Sequence, residues 1–202
     1  MIRDLQQRGL APVEELAQLA LRPCASPNHD ARPPGVAVSL IVVHAISLPP
    51  DEFGGPGVEQ LFTNTLDPDA HPYYATIQHL RVSAHYFIRR DGETLCFVEP
   101  EYRAWHAGVS CWRGQEACND FSIGIELEGC DTQPFEAMQY ASLARLIDAL
   151  RARFPIADVV GHSDIAPGRK TDPGPFFDWS RLERLLSSGN DRRAGAHSHV
   201  KF

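Results

Sequence analysis

Two histidines and an aspartate have the types and positions that a zinc site requires. His162 comes just after the apolar run 156–160, and Asp172 lies ten residues further along, in a loop rich in proline and glycine. His44 ends a second apolar run, 39–43. Imidazole and carboxylate groups suit zinc, and a catalytic zinc keeps three protein ligands and one open position. If both runs are buried strands, their ends can meet at one edge of a sheet. We therefore predict a zinc site formed by His44, His162 and Asp172.

A second interpretation of these histidines stays open at this point. A histidine at a strand end is commonly a structural residue with satisfied hydrogen bonds, and for one isolated histidine that interpretation is preferred. Two histidines in the same context beside an aspartate favour a metal site. Ligands this far apart in sequence are nevertheless less specific than a compact zinc motif, so spacing alone supports the two interpretations equally.

Glu126 and Lys170 are the candidates for proton transfer and charge stabilisation. The segment 121–128 alternates as a strand does, and one of its faces carries Ser122, Gly124, Glu126 and Glu128. Because Ser122 and Gly124 are too small to cover Glu126, its carboxylate would line a cavity or pair with a cation, and beside zinc it would act as a general base or acid. Lys170, two residues before Asp172, would stabilise an oxyanion. The plainer alternatives are a solvated glutamate on an edge strand and a surface lysine.

Other polar and aromatic residues could surround such a site. His85 and His106 could support the metal ligands or contact a substrate, or they could be ordinary residues at the edge of the core. The aromatic residues near these segments are expected mostly to lie in the core or to anchor loops, but one or two of them could stack on a sugar ring: Phe53, Tyr73, Tyr74, Trp105 and Trp112. Arg81 belongs to a group of arginines around a predicted hairpin, which could bind a ligand rich in carboxylates.

The elements that must position these residues follow from the apolar patterns. Strands are predicted at 37–43, where the run is buried, and at 121–128; the segments 82–89 and 94–99 form a hairpin around Asp91-Gly92. Helices are predicted at 12–22, 58–64, 134–154 with a proline in the first turn, and 179–186 with Asp178 as N-cap. The long irregular segment 47–78 is typical of a functional wall or lid.

The length, net charge and cysteine content of the chain narrow the range of possible functions. At 202 residues the chain fits one domain, and its net charge of -7 argues against a protein that binds nucleic acid backbones. A secretory signal and a membrane-spanning run are not apparent, which predicts a cytoplasmic location. Five cysteines without a CxxC pair indicate free thiols.

Several ordered motifs in the sequence resemble one family. They are Val42-Val43-His44, the segment 83–92, Ala104-Trp105-His106-Ala107-Gly108, the segment 119–126, Gly161-His162 and the segment 169–174. Together they resemble the zinc N-acetylmuramoyl-L-alanine amidases, and within them the AmpD branch of cytoplasmic enzymes that recycle 1,6-anhydro-muropeptides. The resemblance covers roughly residues 24 to 187, including the insertion around Phe53-Gly54-Gly55-Pro56.

The resemblance implies a single α/β domain with a mixed central sheet flanked by helices. It implies zinc bound by His44, His162 and Asp172, with Glu126 and Lys170 as the catalytic pair. The implied reaction is hydrolysis of the amide between the lactyl group of the muramoyl sugar and L-alanine. Arg81 is expected to contact a peptide carboxylate, and His106 is expected to contact the small muropeptide substrate. Nucleic acid and membrane partners are not expected.

The predicted domain division has three parts: an N-terminal helical extension at 1–23, the zinc amidase domain at 24–187, and a flexible C-terminal tail at 188–202. Two alternative functions stay open, an amidase acting on intact peptidoglycan and a non-catalytic peptidoglycan-recognition module. A recognition module would be expected to lack a ligand or the general base, whereas His44, His162, Asp172 and Glu126 are all present. A role of the N-terminal extension in binding a regulatory partner protein is a further possibility.

Overall fold

A six-stranded mixed sheet organises the computed structural model, which describes residue 16 and residues 19 to 195. The strands are β1 (Leu21–Pro23), β2 (His29–Ala31), β3 (Leu40–Ile46), β4 (Tyr86–Ile88), β5 (Thr94–Cys96), β6 (Tyr102–Ala104), β7 (Cys111–Trp112), β8 (Gln115–Glu116), β9 (Ser122–Glu128) and β10 (Asp158–Gly161). The large sheet has the order β1-β5-β4-β9-β3-β10, while β2 pairs with β6 and β7 with β8. In the large sheet β4 and β5 are antiparallel, and its other pairs are parallel.

In the described part of the chain, five helices lie between and after the strands. They are α1 (Gly57–Phe62), α2 (Pro72–Ile77), α3 (Ala137–Arg153), α4 (His162–Ile165) and α5 (Trp179–Gly195), with a short 3-10 turn at Cys118–Asp120. The backbone N–H of Glu136 donates to the side chain of Gln139 at 2.9 Å, which caps the start of α3. Asp178 accepts the N–H of Arg181 at 2.9 Å and caps α5 as predicted.

Strands β3 and β9 pack one face in the main core and carry polar residues on the other. Ile41 and Val43 of β3, and Ile123 and Ile125 of β9, pack with α3 and α5 in the main core. On the opposite face, His44 and Glu126 follow smaller or apolar residues of the same strands. Because successive side chains of a strand point to opposite faces, this alternation leaves one face of β3 and β9 for a site.

Most predicted elements are confirmed, with local corrections. The hairpin, the central strand at β3, the strand at β9 and the three helices predicted after residue 57 are present near their predicted positions, whereas α2 and α4 were not predicted. The helix predicted at 12–22 is wrong at its end, since Leu21–Pro23 form a strand that pairs with β5. Its earlier part lies largely outside the described residues. Pro134 precedes α3 and does not lie in its first turn.

The alternation over 121–128 predicts an apolar face of Phe121, Ile123, Ile125 and Leu127, and its first member is wrong. Phe121 packs with Leu40 and Val42 on the face opposite to Ile123, because it belongs to the turn before the strand. The strand lies between β4 and β3, so Glu126 and Glu128 are buried and are not solvated residues of an edge strand. Long-range pairing decides which strand is central, and the pattern of one strand does not report it.

The domain division at 24 and 187 stays a prediction. The sheet begins at Leu21, and α5 continues to Gly195. All five cysteines are free thiols, as predicted. Among the described residues, none of the helices is both long enough and apolar enough to cross a membrane.

Candidate metal centre and active site

The register of three neighbouring strands places three predicted site residues side by side. His44 of β3 pairs with Glu126 of β9, and Val43 pairs with Gly161 of β10. Since β3 and β10 are parallel, the residues that follow this pair, His44 in β3 and His162 directly after β10, reach the same level of the sheet. Both histidines are buried.

Asp172 completes the group from the loop that follows α4. The Nδ1 atoms of His44 and His162 are 2.9 Å apart, and they lie 3.1 Å and 3.0 Å from Oδ2 of Asp172. The backbone N–H of Ser163 donates to the carbonyl of Asp172 at 2.9 Å, which holds the loop against the start of α4. The three residues predicted as ligands therefore form a group that could hold a metal ion.

The hydrogen bonding of His162 indicates which of its two ring nitrogens carries a hydrogen and which has a free lone pair. Its Nε2 lies 3.1 Å from the carbonyl of Ala107, which can only accept, so the tautomer that fits this contact has its hydrogen on Nε2. Nδ1 then offers a lone pair beside the Asp172 carboxylate, and such an arrangement is stabilised by a cation. Metal bonds of about 2.0–2.2 Å keep their ligand atoms roughly 3 Å apart. The donor set therefore fits a small divalent metal.

Burial and close polar contacts prepare two of the ligands for a cation. Burial lowers the pKa of His44 to about 4, although the nearby Asp172 carboxylate opposes the shift, so the ring is neutral at neutral pH. Burial alone would raise the pKa of Asp172, but its close contacts with His162 and His44 outweigh burial and hold this pKa below its ordinary value. A neutral imidazole and an ionised carboxylate are the forms that bind metal.

Glu126 is a buried carboxyl group next to the donor atoms. Its side chain belongs to a residue only 9% exposed, and its Oε2 has no hydrogen-bond partner among the described residues. Burial, followed by the charge of Asp172, raises the pKa of Glu126 well above its ordinary value, while Lys170 acts in the opposite direction. A carboxyl group with raised proton affinity is suited to accept a proton from water and to pass it on.

Lys170 and Arg169 occupy the loop between α4 and Asp172 and have different surroundings. Lys170 is exposed and lines the cavity that contains the donors. Arg169 donates from Nη2 to the carbonyls of Ala107 and Val109, at 2.7 Å and 2.6 Å. Because His162 also donates to Ala107, the arginine ties the ligand-bearing loop to the segment after β6.

A cavity of about 660 Å³ lies over the donors, Glu126 and Lys170. Part of its wall is apolar or aromatic and comes from α2 and the segments near it: Tyr73, Ile77, Leu80, Val82 and Trp105. Tyr73 is 40% exposed and Leu80 38% exposed, so both offer free surface to a ligand. A second cavity, of about 610 Å³, is lined by Arg169 and by the segments 108–111 and 165–167, and the three donor residues do not line it.

The two predicted substrate contacts lie in different places. His106 lines the cavity, and its Nδ1 is 2.9 Å from Nε2 of His44. Arg81 is exposed, does not line the cavity, and donates to the carbonyls of Gln78 and Leu80 at 3.1 Å. Contact of either residue with substrate stays a prediction.

His85 lies behind His106 and away from the donors. It accepts the N–H of Gly124 at Nδ1, at 2.9 Å, and its Nε2 lies 3.1 Å from the carbonyl of Tyr102. Burial and the charge of Arg32 lower the pKa of His85 to about 3. These contacts make His85 a structural residue of the sheet, which was one of its two predicted roles.

Sequence reasoning missed the role of Arg169 and most of the cavity wall. Arg169 is next to Lys170 in the loop that the sequence already indicated as part of the site, and this position could have indicated a role for it. Its carbonyl partners lie about 60 residues away in sequence. Glu128 was also unexplained: it accepts the N–H groups of Gly54 and Arg90, at 2.5 Å and 3.1 Å, and so fixes the insertion against the hairpin.

Known proteins share this arrangement of sequence and fold. The family model for N-acetylmuramoyl-L-alanine amidase matches residues 34–175, which include every predicted site residue. The 1,6-anhydro-N-acetylmuramyl-L-alanine amidase AmpD of Enterobacter cloacae is 58% identical over 169 residues, 83% of this chain and 90% of its own length. The protein of the same name from Escherichia coli (strain K12) is 57% identical over 164 residues, 80% of this chain and 90% of its own length.

Solved structures of amidases have a similar fold. A crystal structure of a selenomethionine derivative of AmpD superposes with a TM-score of 0.80 at 58% identity, covering 82% of this chain and 94% of its own. The amidase AmiD from E. coli, in complex with the substrate anhydro-N-acetylmuramic acid-L-Ala-D-gamma-Glu-L-Lys, superposes with a TM-score of 0.55 at 32% identity, covering 76% of this chain and 60% of AmiD. From the matched domain, the identity over most of its length and the shared fold, this chain belongs to the N-acetylmuramoyl-L-alanine amidase family of enzymes.

Proposed function

We propose that this enzyme uses zinc to hydrolyse the amide bond between the lactyl group of a 1,6-anhydro-N-acetylmuramoyl sugar and L-alanine. His44, His162 and Asp172 would bind the metal. The observation that carries the proposal is the convergence of three donor atoms about 3 Å apart, next to the buried Glu126, in one cavity. The AmpD relatives and the muropeptide bound to AmiD support the choice of substrate.

The chemistry divides among residues of the cavity. A zinc ion bound by the three donors supplies Lewis acidity towards the scissile carbonyl. Glu126 accepts a proton as the oxygen of water attacks the carbonyl carbon, and its raised pKa favours this transfer. The same carboxyl group then gives the proton to the nitrogen of L-alanine as the C–N bond breaks. The products are a lactyl carboxylate and a free amine.

Lys170 would stabilise the negative charge that develops on the carbonyl oxygen. Its side chain lines the cavity that contains Glu126 and the donors. An ammonium group held there donates to the oxyanion and lowers the barrier without taking part in proton transfer. Its exposure in the free protein leaves the side chain able to turn towards a bound substrate.

The cavity also fits the two chemical parts of a muropeptide. Apolar and aromatic side chains of Tyr73, Leu80 and Trp105 can lie against a sugar ring, while the polar groups around Asp131 and Thr171 offer partners to a peptide. Thr171 donates to Asp131 at 2.6 Å, which closes this side of the cavity next to Asp172.

The test measures zinc content and peptide release from a purified anhydro-muropeptide. We expect about one zinc in the parent, loss of metal and activity in Asp172→Ala, and retained metal with a roughly 10²- to 10⁴-fold lower kcat in Glu126→Gln. Glu183→Gln, an exposed substitution of the same type on α5, serves as control and should retain both.

The alternatives give different results in the same assay. A parent that binds muropeptide without cleaving it, even with zinc supplied, would be a recognition module. Cleavage of intact peptidoglycan at the rate of the anhydro-muropeptide would refute the substrate but keep the amidase assignment. The cytoplasmic location stays a prediction, which cell fractionation tests.

A further inference from the structure

A continuous line of polar atoms leads away from His44 on the side opposite to the donors. Nε2 of His44 lies 2.9 Å from Nδ1 of His106, and Nε2 of His106 lies 3.1 Å from Oγ of Ser122. Ser122 Oγ in turn lies 2.6 Å from the carbonyl oxygen of Cys118. Ser122 is fully buried, and it shares the site-facing side of β9 with Glu126.

The far end of this line fixes the direction of every hydrogen bond in it. The carbonyl of Cys118 can only accept, so the hydroxyl of Ser122 donates its one hydrogen there. Ser122 Oγ must then accept from Nε2 of His106. With its hydrogen on Nε2, the neutral His106 ring presents a lone pair at Nδ1, and this lone pair accepts from Nε2 of His44. Nδ1 of His44 is left free of hydrogen, facing His162 and Asp172.

We propose that His106 and Ser122 are positioning residues, which hold the hydrogen of His44 on Nε2 and so keep its Nδ1 as a metal ligand. The proposal rests on the zinc-dependent function proposed above, and it assigns His106 a role other than direct contact with substrate. Hydrogen bonds to the outer nitrogen of a ligating histidine fix its ring and raise its basicity. Here the partner is a second imidazole, whose own orientation depends on a serine and a carbonyl.

The packing around His106 supports a built arrangement. A Cβ at Gly124 would lie 2.4 Å from Cγ of His106, so this strand position is open to the ring only because it is glycine. The backbone N–H groups of His106 and Ala107 both donate to Oδ1 of Asn119, at 3.2 Å and 2.8 Å. The main chain and the ring are thus held from two directions.

Two pairs of variants test the proposal in the full-length protein. Ser122→Ala removes the hydroxyl that orients His106, and Ser142→Ala is its matched control, because Ser142 is also buried and donates to a carbonyl, that of Gly92 at 2.8 Å, outside the site. His106→Leu removes the acceptor for His44, whereas His106→Asn can restore an oxygen near the position of Nδ1. The probe is zinc, measured by competition with a chelator of known affinity.

We expect zinc affinity to fall roughly 10- to 100-fold in His106→Leu and by a smaller factor in Ser122→Ala. It should stay near the parent value in His106→Asn and in Ser142→Ala. Nuclear magnetic resonance of the zinc-loaded parent should show a slowly exchanging proton on Nε2 of His44. In His106→Leu this proton should exchange faster.

Several results would overturn the proposal. One is equal loss of affinity in His106→Leu and His106→Asn, which would indicate packing alone. Another is a loss in Ser122→Ala no larger than in Ser142→Ala, and a third is a hydrogen found on Nδ1 of His44 with zinc bound. A parent protein that binds no zinc would refute the proposed function itself, so the two failures are distinguishable.

Discussion

Replacing Gly124 by alanine places a methyl group where the ring of His106 lies. The new Cβ would be 2.4 Å from Cγ, 2.6 Å from Nδ1 and 2.8 Å from Cδ2 of that ring. These distances are too short for non-bonded carbon and nitrogen, which meet at about 3.5–4.0 Å. The ring has little freedom to move aside, because the rings of His44 and His85 lie with centroids 5.0 Å and 5.6 Å away.

The size of the effect follows from this geometry. Overpacking a buried site costs typically about 1–3 kcal/mol, and we expect a loss of stability in that range. A ring displaced by about 1 Å also breaks the 2.9 Å contact between His106 and His44. Losing one such hydrogen bond costs about 0.5–1.5 kcal/mol, which corresponds to roughly a 2- to 12-fold loss of zinc affinity.

Urea unfolding of the zinc-free protein measures the first quantity, and chelator competition measures the second. Gly55→Ala is the control, since a Cβ there would meet only the carbonyl of Leu48 at 3.7 Å, and its backbone conformation is open to alanine. If Gly124→Ala matches both the stability and the zinc affinity of the parent, the close packing of His106 on β9 and the reasoning built on it are wrong.

Three further predictions concern the remaining site residues. Burial raises the pKa of Glu126, so the folded protein binds the proton of this carboxyl group more tightly than the unfolded chain does. This tighter binding stabilises the fold below the ordinary pKa of 4.5, and the stabilisation is lost as the pH rises through the raised pKa. Thermal melts of the zinc-free protein should therefore show Glu126→Gln more stable than the parent at pH 7, with the difference vanishing near pH 4, and equal melts at pH 7 would contradict this. Protonation of His44 competes with metal below its pKa of about 4, so zinc titrations should show the His44 contribution to affinity intact at pH 6 and falling about tenfold per unit below pH 4. Arg169→Met removes two hydrogen bonds to the segment after β6 and should lower zinc affinity by roughly tenfold, since each bond contributes about 0.5–1.5 kcal/mol; in Arg184→Met, an exposed arginine of α5, chelator competition should find no change.

Much of the site could be predicted because its signals are local. A histidine after an apolar run and an alternating strand with a glutamate on its less apolar face both follow from strand geometry. The Asp91-Gly92 turn likewise predicted the hairpin of β4 and β5, which the structure confirms. Such features depend on residues within about ten positions of each other.

The rest depended on contacts that a linear pattern does not contain. The start of β1 was predicted as helix because the apolar residues at 13, 16, 19 and 20 have helical spacing, but pairing of Leu21 with Thr94 on β5 overrides that preference. His106 and Arg81 had equal claims to a substrate role from the sequence. The fold separates them, since the His106 ring packs on Gly124 with its Nδ1 2.9 Å from Nε2 of His44, whereas Arg81 does not line the cavity and donates to its own loop.

The sequence by itself determined which side chains could do the chemistry and which face of each strand would carry them. The tertiary structure alone decided that His44, His162 and Glu126 share one level of the sheet, and that a second imidazole and a serine stand behind His44. The reason is physical: alternation along a strand is fixed by the local backbone. Register between strands, and the direction of hydrogen bonds through buried groups, are fixed by partners more than 100 residues apart, such as His44 and His162.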